Sequence, residues 1–304
     1  MDEVELRELR YFIAVAEELN FTRAAARLGL GQPPLSAAIG KLERKLGVRL
    51  LERTSRRVTL TPAGAVLLEQ GRIAVEAAGA AVERARRAGT GPSRLTVAVK
   101  PGTGTDLLQK IMHRCAQDPR VPEVRLLFGH PGGPAAAVRG GAADVAILRA
   151  PFDQRGLDTE LLLTEPRVAA LPVSHQLAGR TELRRADLAG EPMPRWAGPP
   201  DPAAASYWTG GSPCAESPPG PEINDVSQLL DAVALGNAVA YVPVSLAGQY
   251  RSAAGLVFLP VTDLSPSDVL VAWPDTSRSR AVAGFVRAAV EVAASHAEQA
   301  AALT

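Results

Sequence analysis

The chain has 304 residues, of which 46% are hydrophobic and 21% charged, and its formal net charge at neutral pH is +1. Such a composition is typical of a globular protein with two or three domains. No window approaches eighteen apolar residues without a charge, and the N-terminus lacks a signal-peptide pattern, so we expect a cytoplasmic protein without membrane spans. Cys115 and Cys214 stand far apart in sequence and predict neither a disulfide framework nor a zinc site.

Three short helices are predicted at the N-terminus. Apolar residues recur at helical spacing over 6–19 and predict the first helix. Asn20 and Thr22 are both suitable N-caps for the second. Glycines on either side of Leu30 favour a sharp turn, and Pro33-Pro34 fits the first turn of a third helix. This order predicts a helix-turn-helix.

The outward face of the third helix is a candidate DNA-reading surface. Gln32 and Ser36 could reach base edges, and the small Ala37 and Gly40 would let the backbone enter a major groove. The alternative for Gln32 and Ser36 is a capping role at the start of the helix.

A basic hairpin is predicted to follow, with strands over 48–51 and 58–60. Between Gly40 and Thr61 the acidic residues are Glu43 and Glu52, and the basic ones are Lys41, Arg44, Lys45, Arg49, Arg53, Arg56 and Arg57. A charge run is usually a solvated face, but this one borders a helix end and a hairpin tip, where phosphate contacts would be made. The whole unit is therefore predicted to be a winged helix-turn-helix that binds duplex DNA.

The segment LRYFIAVAEELNFTRAAARLGLGQPPLSAAIGKLERKLGVRLLERTSRRVTLTPAG resembles the DNA-binding end of the LysR-type transcriptional regulators. The resemblance implies a winged helix-turn-helix, a dimerising linker helix and a C-terminal effector domain. With the pattern above it gives a predicted DNA-binding set of Thr22, Gln32, Pro33, Ser36, Lys41, Arg53, Arg56 and Arg57. Many relatives carry an arginine where this chain has Ala37, so we expect a different operator or weaker binding.

A long linker helix is predicted from Thr61-Pro62, a cap followed by a first-turn proline, to about Ala88. A heptad-like seam runs along it through Ala63, Val66, Gln70, Ile73, Ala77, Ala80 and Arg84. The helix could pack on its own chain or on a twin. We favour the twin, because a homodimer, assembling to a homotetramer, suits a pseudo-palindromic operator.

The remaining two thirds alternate between predicted strands and helices, which indicates an α/β fold. The last strand and helix are expected to return to the first of two lobes. The predicted architecture is an N-terminal winged helix-turn-helix, a long linker helix and a two-lobed α/β effector domain resembling periplasmic solute-binding proteins. The predicted domains are 4–61 for DNA binding, 62–89 for the linker, and 92–304 for the effector, with lobe I over 92–164 and 267–304 and lobe II over 165–266.

Ligands of such two-lobed folds bind between the lobes, at the carboxyl ends of strands. Lys100 and Arg149 each follow a predicted strand, which suggests an anionic effector such as an organic or aromatic acid; a surface ion pair is the alternative. Trp196 and Trp208, in or beside a proline-rich stretch, could wall this pocket or cover the core. The predicted effector-binding set is Lys100, Thr103, His130, Arg149, Trp196 and Asn224.

Nothing in the chain matches an enzyme signature. The G-x-S-x-G, H-E-x-x-H and G-x-x-x-x-G-K-[ST] motifs are absent, and the four histidines are scattered, so we predict no catalytic residue, no metal and no cofactor. The alternative function is a solute-binding protein without a regulatory role, which would have no use for a basic N-terminal unit.

Overall fold

The computed structural model describes residues 4–53, 57–89, 94–100, 102–130, 133–197, 206–211, 218–250 and 255–301. These fall into two compact units, Met1–Gly91 with Arg139–Gly141, and Pro92–Val138 with Ala142–Thr304. Over the described ranges, no helix has the length and apolar character that crossing a membrane requires.

The first unit begins with three helices around a small apolar core. They are α1 (Leu6–Glu18), α2 (Phe21–Leu28) and α3 (Gln32–Leu46). The side chain of Asn20 accepts from the backbone N–H groups of Thr22 and Arg23, so Asn20, and not Thr22, is the cap of α2. The core of this unit includes Phe12, Leu35, Ile39, Leu42 and Leu50.

The hairpin consists of β1 (Leu51–Arg53) and β2 (Val58–Leu60), which pair antiparallel. The prediction of a first strand over 48–51 was therefore wrong. The reason lies in Glu43, whose Oε1 accepts from the backbone N–H groups of Leu50 and Leu51 at 2.9 and 3.2 Å. The chain before Leu51 is thus held by Glu43 of α3 and by Thr61, which donates to the carbonyl oxygens of Leu50 and Arg49.

The linker helix is α4 (Pro62–Ala88), as predicted from its cap and proline. The Thr61 hydroxyl accepts from the backbone N–H of Gly64 at 3.0 Å. A Cβ on Gly64 would lie 2.0 Å from the carbonyl oxygen of Leu50, so only glycine allows this close approach to the hairpin. The helix is 27 residues long, which corresponds to about 40 Å.

The second unit contains a five-stranded sheet of β3 (Leu95–Val99), β4 (Val124–Leu127), β5 (Val145–Arg149), β6 (Leu157–Glu165) and β12 (Ser267–Pro274). Their order in the sheet is β4-β3-β5-β12-β6. The first three are parallel, but β12 runs antiparallel to both β5 and β6, so the sheet is mixed. Its helices are α5 (Thr105–Ala116), α6 (Gly133–Arg139) and α9 (Arg280–Ala301). Sheet and helices share a core that includes Val97, Ile111, Ile147, Val269 and Phe285.

A second lobe of this unit is built on a three-stranded antiparallel sheet, β10-β7-β11. These strands are β7 (Arg167–Pro172), β10 (Ala240–Pro243) and β11 (Leu256–Pro260), joined by a parallel pair, β8 (Met193–Trp196) and β9 (Pro219–Ile223). The helices are α7 (Val226–Ala234) and α8 (Val244–Gln249). Both neighbours of β7 come from later parts of the chain and run antiparallel to it.

Candidate DNA interface and effector site

The outward face of α3 is open to solvent. Leu35, Ile39 and Leu42 point into the core, while Gln32, Pro33, Ala37 and Lys41 are exposed and Ser36 is partly exposed. Gly31 is the N-cap of α3, with no side-chain capping bond. Gln32 and Ser36 therefore do not serve as caps, and their side chains remain on the outer face. Thr22 and Arg57 are exposed as well, and Arg56 lies outside the described residues.

Arg53 connects the hairpin to α3. Its Nη2 donates to Glu43 Oε2 at 3.1 Å, its Nη1 reaches Ser36 Oγ at 3.5 Å, and its guanidinium lies 4.7 Å from the centre of the Phe21 ring. The arginine is thus held beside Ser36, and its position depends on Glu43. The role of Glu43 in holding the hairpin was not predicted from the sequence. The signal that could have indicated it is an acidic residue inside a run of basic ones.

Lys100 lies at the end of β3, against two tryptophan rings of the second lobe. Its Nζ is 5.8 Å from the ring centre of Trp196 and 5.5 Å from that of Trp208, and the two ring centres are 5.3 Å apart. Burial, and secondly the charge of Arg149, lower the pKa of the Lys100 amine. Trp196 also packs against the apolar core of the second lobe, so it both covers that core and lies beside Lys100.

A cavity of about 230 Å³ adjoins Lys100 at the carboxyl ends of β3, β4 and β5. Its polar side chains are Lys100, His130 and Arg149, and Leu127 and Phe152 are among its apolar walls. The Nδ1 atom of His130 is buried and has no hydrogen-bond partner within the part of the chain that is described. The cavity can accept a small, partly apolar ligand with an acceptor group.

Arg149 lies in the same cavity, but its donors are engaged within the protein. Its Nη2 donates to Glu165 Oε1 at 2.6 Å and to Ser245 Oγ at 3.1 Å, and its Nη1 donates to Ser267 Oγ at 2.8 Å. Arg149 is therefore in an ion pair, as the alternative expected, but both side chains of the pair are buried rather than at the surface. Ser245 belongs to the second lobe, and the network therefore joins the two lobes.

Thr103 and Asn224 are directed elsewhere. The Thr103 hydroxyl donates to the carbonyl oxygen of Lys100, and α5 begins two residues later with Gly104 as its N-cap. Asn224 is exposed, and its Nδ2 donates to Gln228 Oε1 at 3.3 Å. Neither residue lines the cavity.

Two family models match the chain. The one described as "Bacterial regulatory helix-turn-helix protein, lysR family" matches residues 6–65, and the one described as "LysR substrate binding domain" matches residues 88–294. The chain belongs to the LysR family. The family resemblance drawn from the N-terminal motif is thereby confirmed, as is the architecture of helix-turn-helix, long helix and C-terminal α/β domain.

Individual relatives extend over nearly the whole chain. The Hca operon transcriptional activator HcaR of Escherichia coli (strain K12) is 33% identical over 294 residues, covering 93% of this chain and 96% of the relative. The crystal structure of full-length BenM has 26% identity and a TM-score of 0.55, covering 97% and 98% of the two chains. Full-length CbnR in complex with its target DNA has 25% identity and a TM-score of 0.50, covering 95% and 100%.

This protein is therefore a LysR-type transcriptional regulator with a DNA-binding helix-turn-helix and an effector-binding domain. LysR regulators bind DNA and small-molecule effectors. The alternative of a solute-binding protein without a regulatory role was wrong, because the relatives are transcriptional regulators that share the N-terminal unit. Among the described residues, no three His, Cys, Asp or Glu side chains are grouped so that they could hold a metal ion.

Proposed function

We propose that this regulator reads an interrupted palindrome with α3 and the hairpin of each winged unit, and that an anionic effector, an organic or aromatic acid, controls it. The proposed domains are 4–61 for DNA binding, 62–89 for dimerisation and 92–304 for effector binding, in a cytoplasmic homodimer that pairs into a homotetramer. Lobe I is taken as 92–164 with 267–304, and lobe II as 165–266.

The DNA contacts are assigned to α3, to the hairpin and to the start of α2. Gln32 and Ser36 are candidates for base edges, since they lie at the start of α3 opposite its buried residues. Arg53, held beside Ser36, is a candidate for a phosphate. Thr22, Pro33, Lys41, Arg56 and Arg57 complete the proposed set.

Fluorescence anisotropy on a DNA site selected in vitro with the full-length protein tests this assignment. Gln32→Ala should weaken specific binding by about 1–3 kcal/mol and relax the preference at one base pair. Arg53→Ala should weaken specific and non-specific binding alike and reduce the slope of affinity against salt by about 1. Arg278→Ala, an exposed arginine of the other unit, is the control. If Gln32→Ala and Arg53→Ala both bind like the wild type and Arg278→Ala, the assignment is wrong.

The effector site is assigned to the cavity beside Lys100. The observation that carries the proposal is that no carboxylate forms an ion pair with the Lys100 ammonium in the described residues, whereas Arg149 is paired with Glu165. A partly buried cation without a counter-charge favours binding of an anion. We therefore assign the effector carboxylate to Lys100, with His130 and Trp196 as neighbours and Arg149 as support.

Isothermal titration against a panel of organic acids tests the effector site. Lys100→Ala should abolish the binding heat of any acid that the wild type binds. Lys110→Ala is the matched control, because Lys110 pairs with Asp106 at 3.0 Å on a partly exposed helix face. Equal binding heats from the wild type and Lys100→Ala would show that Lys100 does not bind the effector.

Dimerisation is assigned to α4. Val66 and Ile73, both on the predicted seam, are 62% and 44% exposed, and Val66 lines an apolar groove with Leu46, Val48 and Leu67. Exposed apolar surface of this kind favours a partner helix. In sedimentation velocity, Val66→Glu should shift the protein towards monomer, whereas Ala65→Glu, on an exposed position off the seam, should not.

A further inference from the structure

The surroundings of Lys100 differ from those of every other lysine in the chain. The sequence contains four lysines, Lys41, Lys45, Lys100 and Lys110. Lys45 pairs with Glu8 and Lys110 with Asp106, and Lys41 is exposed to solvent. In the described part of the chain, Lys100 alone is partly buried against aromatic rings without a carboxylate partner.

Two features reduce the tendency of this amine to carry a proton. Burial removes water from the ammonium, and the guanidinium of Arg149 places a second positive charge nearby; both lower the pKa of Lys100. Glu165 balances the charge of Arg149 and makes no ion pair with Lys100. Desolvation and a neighbouring cation make the neutral, nucleophilic form of a lysine more accessible than it is in water.

Lys100 lines a cavity with room for a small electrophile. The cavity, of about 230 Å³, has apolar walls that include Leu127 and Phe152. His130 lines it too, and its buried Nδ1 has no partner among the described residues. A carboxylate on the ligand could accept from this ring.

We propose that Lys100 condenses reversibly with the carbonyl carbon of a small oxo acid in this cavity, so that the regulator senses its effector through an imine. The proposal rests on the effector site proposed above and specifies the class of effector.

The step balances without an oxidant or a reductant. The lone pair of the neutral amine forms a bond to the carbonyl carbon, and the C=O π pair moves to the oxygen, which takes up a proton while the nitrogen loses one. The hydroxyl group of the resulting carbinolamine takes up a proton from solvent and leaves as water, while the nitrogen lone pair forms the C=N bond of a protonated imine. One proton is consumed and one water is released, and hydrolysis reverses the step. The protonated imine carries a positive charge near Trp196 and Trp208, whose ring faces stabilise cations.

Reductive trapping of the full-length protein tests this inference. Cyanoborohydride adds hydride to the imine carbon and leaves a secondary amine, which peptide mass spectrometry locates. The probes are phenylglyoxylate and pyruvate, and their controls are mandelate and lactate, which carry the same carboxylates but a hydroxyl in place of the carbonyl. At pH 7 we expect Lys100 to carry most of the label, since its lowered pKa leaves a larger share of the amine neutral than at the other lysines.

Two variants separate this inference from the proposed effector site. Lys100→Arg keeps a positive charge, so it should still bind mandelate in titration but yield no adduct at position 100. Lys110→Arg should leave labelling of Lys100 unchanged. Equal labelling of all four lysines, or no labelling of Lys100, would contradict the proposal that Lys100 forms an imine. If Lys100 is not labelled but the hydroxy acids bind in a Lys100-dependent way, the effector site stands and only the imine fails.

Discussion

The guanidinium of Arg149 donates to the carboxylate of Glu165 over 2.6 Å, and each side chain is only 5% exposed. The carboxylate also accepts from the backbone N–H of Ser245 at 2.7 Å and from its hydroxyl at 2.9 Å. The ends of β5 and β6 are thereby bonded to the start of α8 in the other lobe. Because the charges of Arg149 and Glu165 compensate each other, Lys100 is the cation of this site that is available to a ligand.

Removing Glu165 should strongly destabilise the effector domain. Glu165→Ala leaves the buried Arg149 without its counter-charge, and such changes cost about 3–5 kcal/mol. The measurement is equilibrium unfolding in guanidinium chloride. Glu123→Ala is the matched control, since its pair with Arg94 is half exposed or more and should contribute about 0–1 kcal/mol. The double variant Arg149→Met/Glu165→Leu should lose less free energy of unfolding than Glu165→Ala, because neither charge is then left buried alone. Similar losses for Glu165→Ala and Glu123→Ala would contradict the buried-pair interpretation.

Glu43 should determine how well the hairpin is positioned. Glu43→Ala removes the acceptor for the backbone N–H groups of Leu50 and Leu51 and the partner of Arg53. We expect a loss of about 1–3 kcal/mol in the stability of the DNA-binding unit and weaker DNA binding. Thermal unfolding and anisotropy measure the two effects. Glu52→Ala, in the exposed part of the hairpin, should change neither by a comparable amount.

Acid should weaken the DNA-binding unit through Glu8. The backbone N–H of Glu5 at 3.0 Å and the ammonium of Lys45 at 3.0 Å lower the pKa of this carboxyl. A lowered pKa in the folded state means that the contribution is fully present above the ordinary value of 4.5 and is lost as pH falls through the folded-state pKa. The wild type should therefore exceed Glu8→Gln in melting temperature at pH 7 and lose that advantage in acid. A constant difference between the two proteins from pH 7 into acid would rule this out.

Cys115 should be inert in the native protein. Burial raises the pKa of its thiol to about 11, so almost no thiolate is present at neutral pH. Alkylation by iodoacetamide at pH 7.5, followed by peptide mass spectrometry, should leave Cys115 unmodified in the native state and modify it in guanidinium chloride. Rapid native labelling of Cys115 would contradict this environment.

The helix-turn-helix could be predicted from the sequence because its signals are local. Asn20, the glycines beside Leu30, Pro33-Pro34 and Thr61-Pro62 act within a few residues of their own positions. The first strand of the hairpin was misplaced because its start depends on Glu43, eight residues before Leu51 and on another element. Periodicity within a segment does not report such a contact.

The sequence by itself determined the family, the DNA-binding unit, the linker helix and the strand ends at which Lys100 and Arg149 lie. Only the tertiary structure decided that Arg149 is paired with Glu165, and that Lys100 lies beside the adjacent rings of Trp196 and Trp208 with no acidic partner among the described residues. The reason is that the counter-charge and the aromatic rings arrive from chain segments far from Lys100, through the crossovers between the two lobes. Whether a cation is available to a ligand depends on those long-range neighbours, which no local pattern of residues encodes.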